Sequence, residues 1–257
     1  VVDLFGYLPD YKQFEQFGLP VIQDNAQAAG AVQDGRHLHG VIACGSGNGQ
    51  KNIPCIEGGW TYTDDAKLAD RMREYISHAE NFGSSEVGVN GRMSELTAIL
   101  ARHGLAELDE RNERRVTLVD ALGEALGEDG WRHFRRPLRC PSSPRQPPYR
   151  MPPWPLNGAH VFYCTPLVLW RNVDRARFIK RCAKNGLTVG GGYITPPLHH
   201  YKAFRKYATC KLPVVDELSF RTLCLLYDLT PDKPLSYARW AASVARAIRF
   251  ETVEALG

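Results

Sequence analysis

Short apolar runs alternate with helical stretches through the first half of the chain, and each pattern change predicts an element. Residues 1–4, Val1-Val2-Asp3-Leu4, read as a short strand, and Pro9-Asp10 opens a short helix over 10–17. Residues 19–23 read as a buried strand centred on Val21 and Ile22, which puts Asp24 at its carboxyl end. Open α/β sheets place their ligands at such ends. Residues 41–44 form a second apolar run, and 58–63 a third. Asp64 is placed to cap a helix carrying Leu68, Met72, Tyr75 and Ile76. From 93 to 126 the period is helical. Met93, Leu96, Leu100, Val119 and Leu122 supply an apolar stripe, and the charged stretch 107–115 is expected to face solvent. Strands alternating with helices imply an α/β fold with a largely parallel sheet.

The pattern changes at 135–158, where eight prolines lie among arginines and serines. Proline fixes φ and removes a donor, so this stretch reads as a linking loop. Beyond it, 160–169 reads as a strand, 174–185 as a helix stopped by Gly186, and 188–189 as the start of a Gly-rich strand or loop. Residues 214–226 read as a helix, and a last helix carries Tyr237, Trp240, Val244 and Ile248. The expected domains are therefore 1–126 and 127–257, the second including the Pro-rich loop. The opening Val1-Val2-Asp3-Leu4-Phe5 reads as the interior of a strand. A segment upstream is expected, either trimmed from this chain or carried on another.

Composition narrows the function classes. With 257 residues and 44% hydrophobic content the chain can bury a sizeable core. A net charge of +4 is too small to argue for nucleic acid, but it suits an anionic substrate. No apolar run approaches the roughly 20 residues of a membrane helix. Seven scattered cysteines without a CxxC pair favour reduced thiols and a cytoplasmic location. The arginines 132, 135, 136 and 139 read as a solvated basic face.

The candidate chemistry sits in Gly45-Ser46-Gly47-Asn48-Gly49-Gln50-Lys51-Asn52. A turn needs glycine, not lysine. With Asp24 at the end of an earlier strand, Lys51 suggests a Schiff-base lysine, and Asp24 a carboxylate that keeps a cofactor's pyridine nitrogen protonated. On its own such an aspartate more often caps the following turn. Ser46, with nearby backbone N–H groups, suits a phosphate. Gln27 could reach the cofactor or could simply open a small-residue helix.

Five stretches together resemble the DegT/StrS-type aminotransferases, enzymes of fold type I that use pyridoxal phosphate (PLP) to aminate keto sugars and cyclitols. Leu19-Pro20-Val21-Ile22-Gln23-Asp24-Asn25-Ala26-Gln27 resembles the family's aspartate motif. Ser46 and Lys51 match its serine and lysine, and Glu57-Gly58-Gly59 its Glu-Gly-Gly. Gly88-Val89-Asn90-Gly91-Arg92-Met93-Ser94-Glu95 resembles Gly-x-Asn-x-Arg-Met-x-Glu. Tyr193-Ile194-Thr195-Pro196-Pro197-Leu198-His199 resembles its C-terminal Tyr-x-x-Pro-Leu-His.

The resemblance implies an aspartate-aminotransferase-like α/β large domain, partial here, with a small C-terminal α/β domain. It implies PLP held by Asp24, Gln27, Ser46, Lys51 and Asn90, and substrate contacts from Arg92, Tyr193 and His199. It also implies a glutamate or glutamine donor, and a homodimer or heterodimer in which the stretch around Asn90 reaches the neighbouring site. A role in antibiotic or cell-envelope sugar synthesis would follow. The family's phosphate-binding turn and ring-stacking aromatic lie upstream of the aspartate motif. A trimmed chain, a split enzyme and a non-catalytic partner therefore all stay open, as does a dehydratase- or oxidase-like relative. Gly45 and Gly47 stand where the family has bulkier residues, which predicts a looser turn.

Overall fold

A computed structural model describes residues 1–80, 84–135, 149–150, 160–169, 173–185, 189–191 and 195–225. Arg136 and Arg139 of the basic face, nearly all of the Pro-rich loop, Gly186, Tyr193 and the final helix expected near 237–248 lie outside the described residues, while Arg132 and Arg135 fall in the last turns of a helix. The chain divides into two compact units, Val1–Arg114 with Pro155–Tyr163, and Arg115–Trp154 with Cys164–Gly257. This division falls inside a helix, earlier than the end of the 93–126 stretch.

In the first unit, a short helix α1 (Lys12–Glu15) precedes strands β1 (Ile22–Asp24), β2 (Ile42–Ser46) and β3 (Gly59–Tyr62). β1 and β2 pair in parallel, whereas β2 and β3 pair antiparallel. Residues 1–4 are not a full strand: Val2 makes one parallel bridge to Asp24, and a 3-10 turn follows at Leu4–Gly6. The buried position of β1 is Gln23, while Ile22 is 57% exposed. An amide can occupy that slot because its hydrogen bonds are made. Gln23 Nε2 donates to Asp3 Oδ2 at 2.8 Å, and its Oε1 accepts from His39 N at 2.9 Å. Leu8, Tyr11, Ala28, Ala31 and Val161 form one core cluster, and Ala29, Ile53 and Leu108 another.

Helix α2 (Ala66–Ile76) is capped by Asp65, one residue later than expected. Its side chain accepts from Lys67 N and Leu68 N, a cap worth about 1 kcal/mol. The 93–126 stretch is two helices, α3 (Glu95–Ala106) and α4 (Leu108–Arg135), broken at Glu107. The break turns Leu108 into the core beside Ala29 and Ile53. The apolar stripe divides accordingly: Val119 and Leu122 are buried, but Leu96 is 77% exposed. The charged stretch does not all face water either, because Asn112 and Arg115 are buried.

The second unit holds β4 (Tyr149–Arg150), β5 (Thr165–Leu169), helix α5 (Arg175–Lys184), β6 (Val189–Gly190), helix α6 (Pro213–Arg221) and β7 (Thr222–Leu225). Its sheet has the order β4-β5-β7-β6, with every pairing antiparallel. Among the described residues the parallel pairings are β1 with β2 and the single Val2–Asp24 bridge, so the described strands pair mostly antiparallel rather than in the largely parallel sheet expected. The expected helix over 214–226 ends at Arg221. Thr222 is extended there, and Leu223 and Leu225 are fully buried between β5 and β6. Asp174 caps α5 through Arg177 N, and Phe178 and Cys182 supply its buried face.

Candidate active site

β1 and β2 end side by side. Asp24 pairs with Cys44 across the parallel register, and Ser46 lies two residues further along β2. Burial and the neighbouring Asp24 carboxylate push the Cys44 thiol up. The turn that follows β2 is tied rather than loose. Gly47 N donates to Gly58 O at 2.9 Å, Gly49 N to Ile56 O at 3.0 Å, and Cys55 N to Gly47 O at 2.7 Å. Gly45 and Gly47 are demanded by this packing. A Cβ on Gly45 would collide with the Trp60 indole, and one on Gly47 with Cys55 Sγ. The two glycines therefore mark a tight turn, contrary to the looser one expected.

Lys51 emerges from that turn. Its backbone N–H donates to Asn48 O at 2.8 Å, and its Nζ lies 4.9 Å from the Tyr163 ring centroid. An ammonium over a ring face gains about 0.5–1 kcal/mol at an exposed site. The next residue anchors the turn: Asn52 Nδ2 donates to Asn112 Oδ1 at 3.0 Å, and Asn112 Nδ2 to Ala29 O at 3.0 Å.

Asp24 is fixed from both sides. Its N–H donates to Val1 O at 2.7 Å, and its carbonyl accepts from Asp3 N at 2.9 Å. Its Oδ1 accepts from Ala26 N at 3.1 Å. The flanking Gln23 and Asn25 both donate to Asp3 Oδ2, and Tyr11 donates to Asp3 Oδ1. Burial raises the Asp3 carboxyl above its ordinary range, against the pull of these three hydrogen bonds. Gln27 is buried, and its Oε1 accepts from Phe5 N at 2.7 Å, so its carbonyl serves the fold. The segment carrying Tyr163 joins the same edge through Val161 N, which donates to Gly6 O at 3.0 Å.

Asn90 and Arg92 are not drawn to this edge. They hold to the end of α2, where Asn90 bridges Ser77. Arg92 meets His78 Nε2 at 3.3 Å and Glu80 at 3.9 Å, all near the surface. Ser94 caps α3 by accepting from Thr97 N at 3.2 Å. In the second unit, His199 and His200 set their Nε2 atoms 2.7 and 2.6 Å from Asp216 Oδ1. Desolvation works to raise the Asp216 carboxyl, but these hydrogen bonds outweigh it and hold it below the usual range. His199 also lines a cavity of about 490 Å³. Tyr193 lies outside the described residues.

The family model described as DegT/DnrJ/EryC1/StrS aminotransferase matches residues 2–233. The chain belongs to this family. Solved structures with the same fold include DesV from S. venezuelae, at a TM-score of 0.79 and 23% identity, covering 98% of this chain and 64% of that one. DesI in the presence of its TDP-sugar product matches at 0.77 and 23%, covering 99% and 63%. NtdA from Bacillus subtilis, with its bound cofactor PMP, matches at 0.76 and 21%, covering 98% and 55%. The chain thus spans less than two thirds of the length of these relatives.

Reading the sequence alone named Asp24, Ser46 and Lys51 as candidates but did not name the residues that the structure sets around them. Asp3, Tyr163 and Asn112 carry no motif. A signal for Asp3 was present, since a carboxylate inside an apolar run is buried only when it is hydrogen-bonded.

Proposed function

We propose that the protein is a PLP-dependent aminotransferase whose acceptor is a keto sugar or cyclitol. One observation carries this reading: Asp24 ends β1, Ser46 ends the parallel β2 beside it, and Lys51 stands in the tied turn that follows, in a chain of the DegT family. This donor set fits the cofactor. When bound, PLP supplies an electron sink that stabilises negative charge at a substrate carbon. Asp24, placed by its backbone bonds and by its Asp3-anchored neighbours, would hold the proton on the ring nitrogen. Ser46 Oγ and the turn N–H groups would bind phosphate. Lys51 Nζ would carry the cofactor and then move the proton between the two carbons that exchange the amine. The Tyr163 face beneath it restricts where the amine can swing. Gln27, with its carbonyl committed to Phe5, would offer only its amide nitrogen.

Asn90 and Arg92 are proposed to serve a neighbouring copy's site. Their surface position and the exposed Leu96 and Ile99 on α3 support a dimer with shared sites. Tyr193 and the ring of His199 remain proposed substrate contacts, and glutamate or glutamine the proposed donor. The DesI structure with a TDP-sugar supports a nucleotide-linked sugar. No helix among the described residues is long and apolar enough to cross a membrane. A cytoplasmic setting is part of the proposal.

The test is a PLP titration of the full-length protein followed by visible absorption. Wild type should develop a cofactor band that Lys51→Ala lacks. A wild-type protein without a lysine-dependent band would sink the enzyme reading.

A further inference from the structure

His199 and His200 are adjacent on a 3-10 turn, Leu198–His200, and Asp216 lies in the first turn of α6. The two imidazoles meet edge to face, with centroids 4.5 Å apart at 83°. Both turn the same nitrogen, Nε2, onto one carboxylate oxygen. Among the described residues these three offer ligand atoms all within 4.8 Å of one another. A single hydrogen bond would suffice to pin the turn to α6; two imidazole nitrogens converging on one oxygen exceed that need.

The geometry points to a divalent transition-metal site, zinc foremost, with His199 Nε2, His200 Nε2 and Asp216 Oδ1 as its three protein ligands. Two imidazoles and a carboxylate are a ligand set that zinc takes, at about 2.0–2.2 Å. Ligand atoms around such an ion lie roughly 3.4 Å apart, so each nitrogen–oxygen separation, now 2.7 and 2.6 Å, must open by less than about 1 Å, and the nitrogen–nitrogen separation already lies within 4.8 Å. The side chains have that freedom: His200 is 37% exposed and Asp216 41%. A metal would replace the two N–H protons that now face Asp216. The fourth position has room for water or a substrate oxygen, because His199 also lines the 490 Å³ cavity with Phe204, Tyr207, Thr209 and Cys210. The ligands close the segment between His200 and Asp216, which forms much of that cavity's wall, so metal binding would tie the wall to α6. Metal binding here does not depend on the proposed reaction; with the ion in place, His199 would meet a substrate through the metal rather than directly.

The probes are Zn²⁺, by calorimetry on chelator-treated full-length protein, and Co²⁺, by absorption. Wild type should bind one ion per chain at this site, and Co²⁺ should give visible bands of nitrogen and oxygen ligation without thiolate charge transfer. His200→Gln, which keeps a hydrogen-bond donor, and Asp216→Asn should each weaken Zn²⁺ binding by about tenfold or more. His103→Ala, on exposed α3, should leave it unchanged. Circular dichroism checks that each variant is folded, and having two ligand variants guards against one failing to fold. Absence of binding would overturn the site. So would equal affinity in wild type and His200→Gln, or a thiolate spectrum, because the cluster would then be hydrogen-bonded only.

Discussion

The edge that carries Lys51 and the stretch that carries Asn90 and Arg92 belong to one motif set but are built in opposite ways. At the edge, the chain closes the geometry itself. Asp24 is pinned by Val1, Asp3 and Ala26, and the Lys51 turn by three backbone bonds and the Asn52–Asn112 pair. Around Asn90 the polar contacts are surface ones, and the apolar residues of α3 face outward. Exposed ion pairs of that kind contribute about 0–1 kcal/mol. The difference teaches that one half of the motif set is preorganised by contacts within the chain, while the other rests on surface contacts and keeps its side chains accessible.

The comparison breaks first at Asp3. Asp3→Ala removes the acceptor of the buried Tyr11 hydroxyl and one of the two acceptors of each of the Gln23 and Asn25 amides. At about 1–3 kcal/mol for each unsatisfied group, less the relief of removing a buried carboxylate, the net loss should be about 3 kcal/mol. Urea unfolding measures it. An unchanged midpoint would mean that the edge is not held from beneath. Gly45→Ala comes next. Overpacking against Trp60 should cost about 1–3 kcal/mol, and adding Trp60→Leu should recover part of the loss. A Gly45→Ala protein as stable as wild type would show that the turn does have slack.

The candidate groups of this edge stood out in the sequence because motifs point to reactive side chains directly. Lys51, Asp24 and Ser46 are unusual residues for a turn and for strand ends, and the strands before them are short apolar runs. What positions them was not legible, since Asp3, Asn112 and Tyr163 act through long-range packing that no local spacing encodes. Periodicity failed where tertiary pairing overrode it. Thr222–Leu225 continues a helical pattern but is drawn into the sheet because both neighbouring strands need its backbone bonds. Glu107 likewise sits in a helical period, and the chain breaks there to bring Leu108 inward. The apolar stripe of α3 likewise did not show which of its residues would be exposed, as Leu96 and Ile99 are.

The first unit also gives a pH handle. Burial holds the His160 imidazole down at about 3, against an ordinary value of 6.5, while its Nδ1 accepts from Phe162 N. Below pH 6.5 the unfolded chain takes up a proton that the folded chain refuses. Stability should therefore fall as pH drops from 6.5 toward 3, by about 1.4 kcal/mol per unit from this group. His160→Gln should flatten the profile by that slope. Urea midpoints at pH 7 and pH 5 suffice, and parallel profiles for the two proteins would rule out a buried neutral imidazole.

The smallest effect on stability is expected at Arg92, and there the contrast is sharpest. Its contacts with His78 and Glu80 are at the surface, so Arg92→Ala should change unfolding free energy by less than about 0.5 kcal/mol. If the residue serves a neighbouring copy, the same variant should still lose amination activity. Mixing it with Lys51→Ala protein should restore part of that loss, because a mixed dimer then contains one site with both residues intact. Leu96→Asp on α3 should shift the protein toward monomer in analytical ultracentrifugation without lowering its unfolding midpoint. Complementation requires sites shared between copies. If the mixture is as inactive as its parents while Leu96→Asp leaves the oligomer intact, Arg92 acts within its own chain, and the outward face of α3 is not the surface that joins two copies.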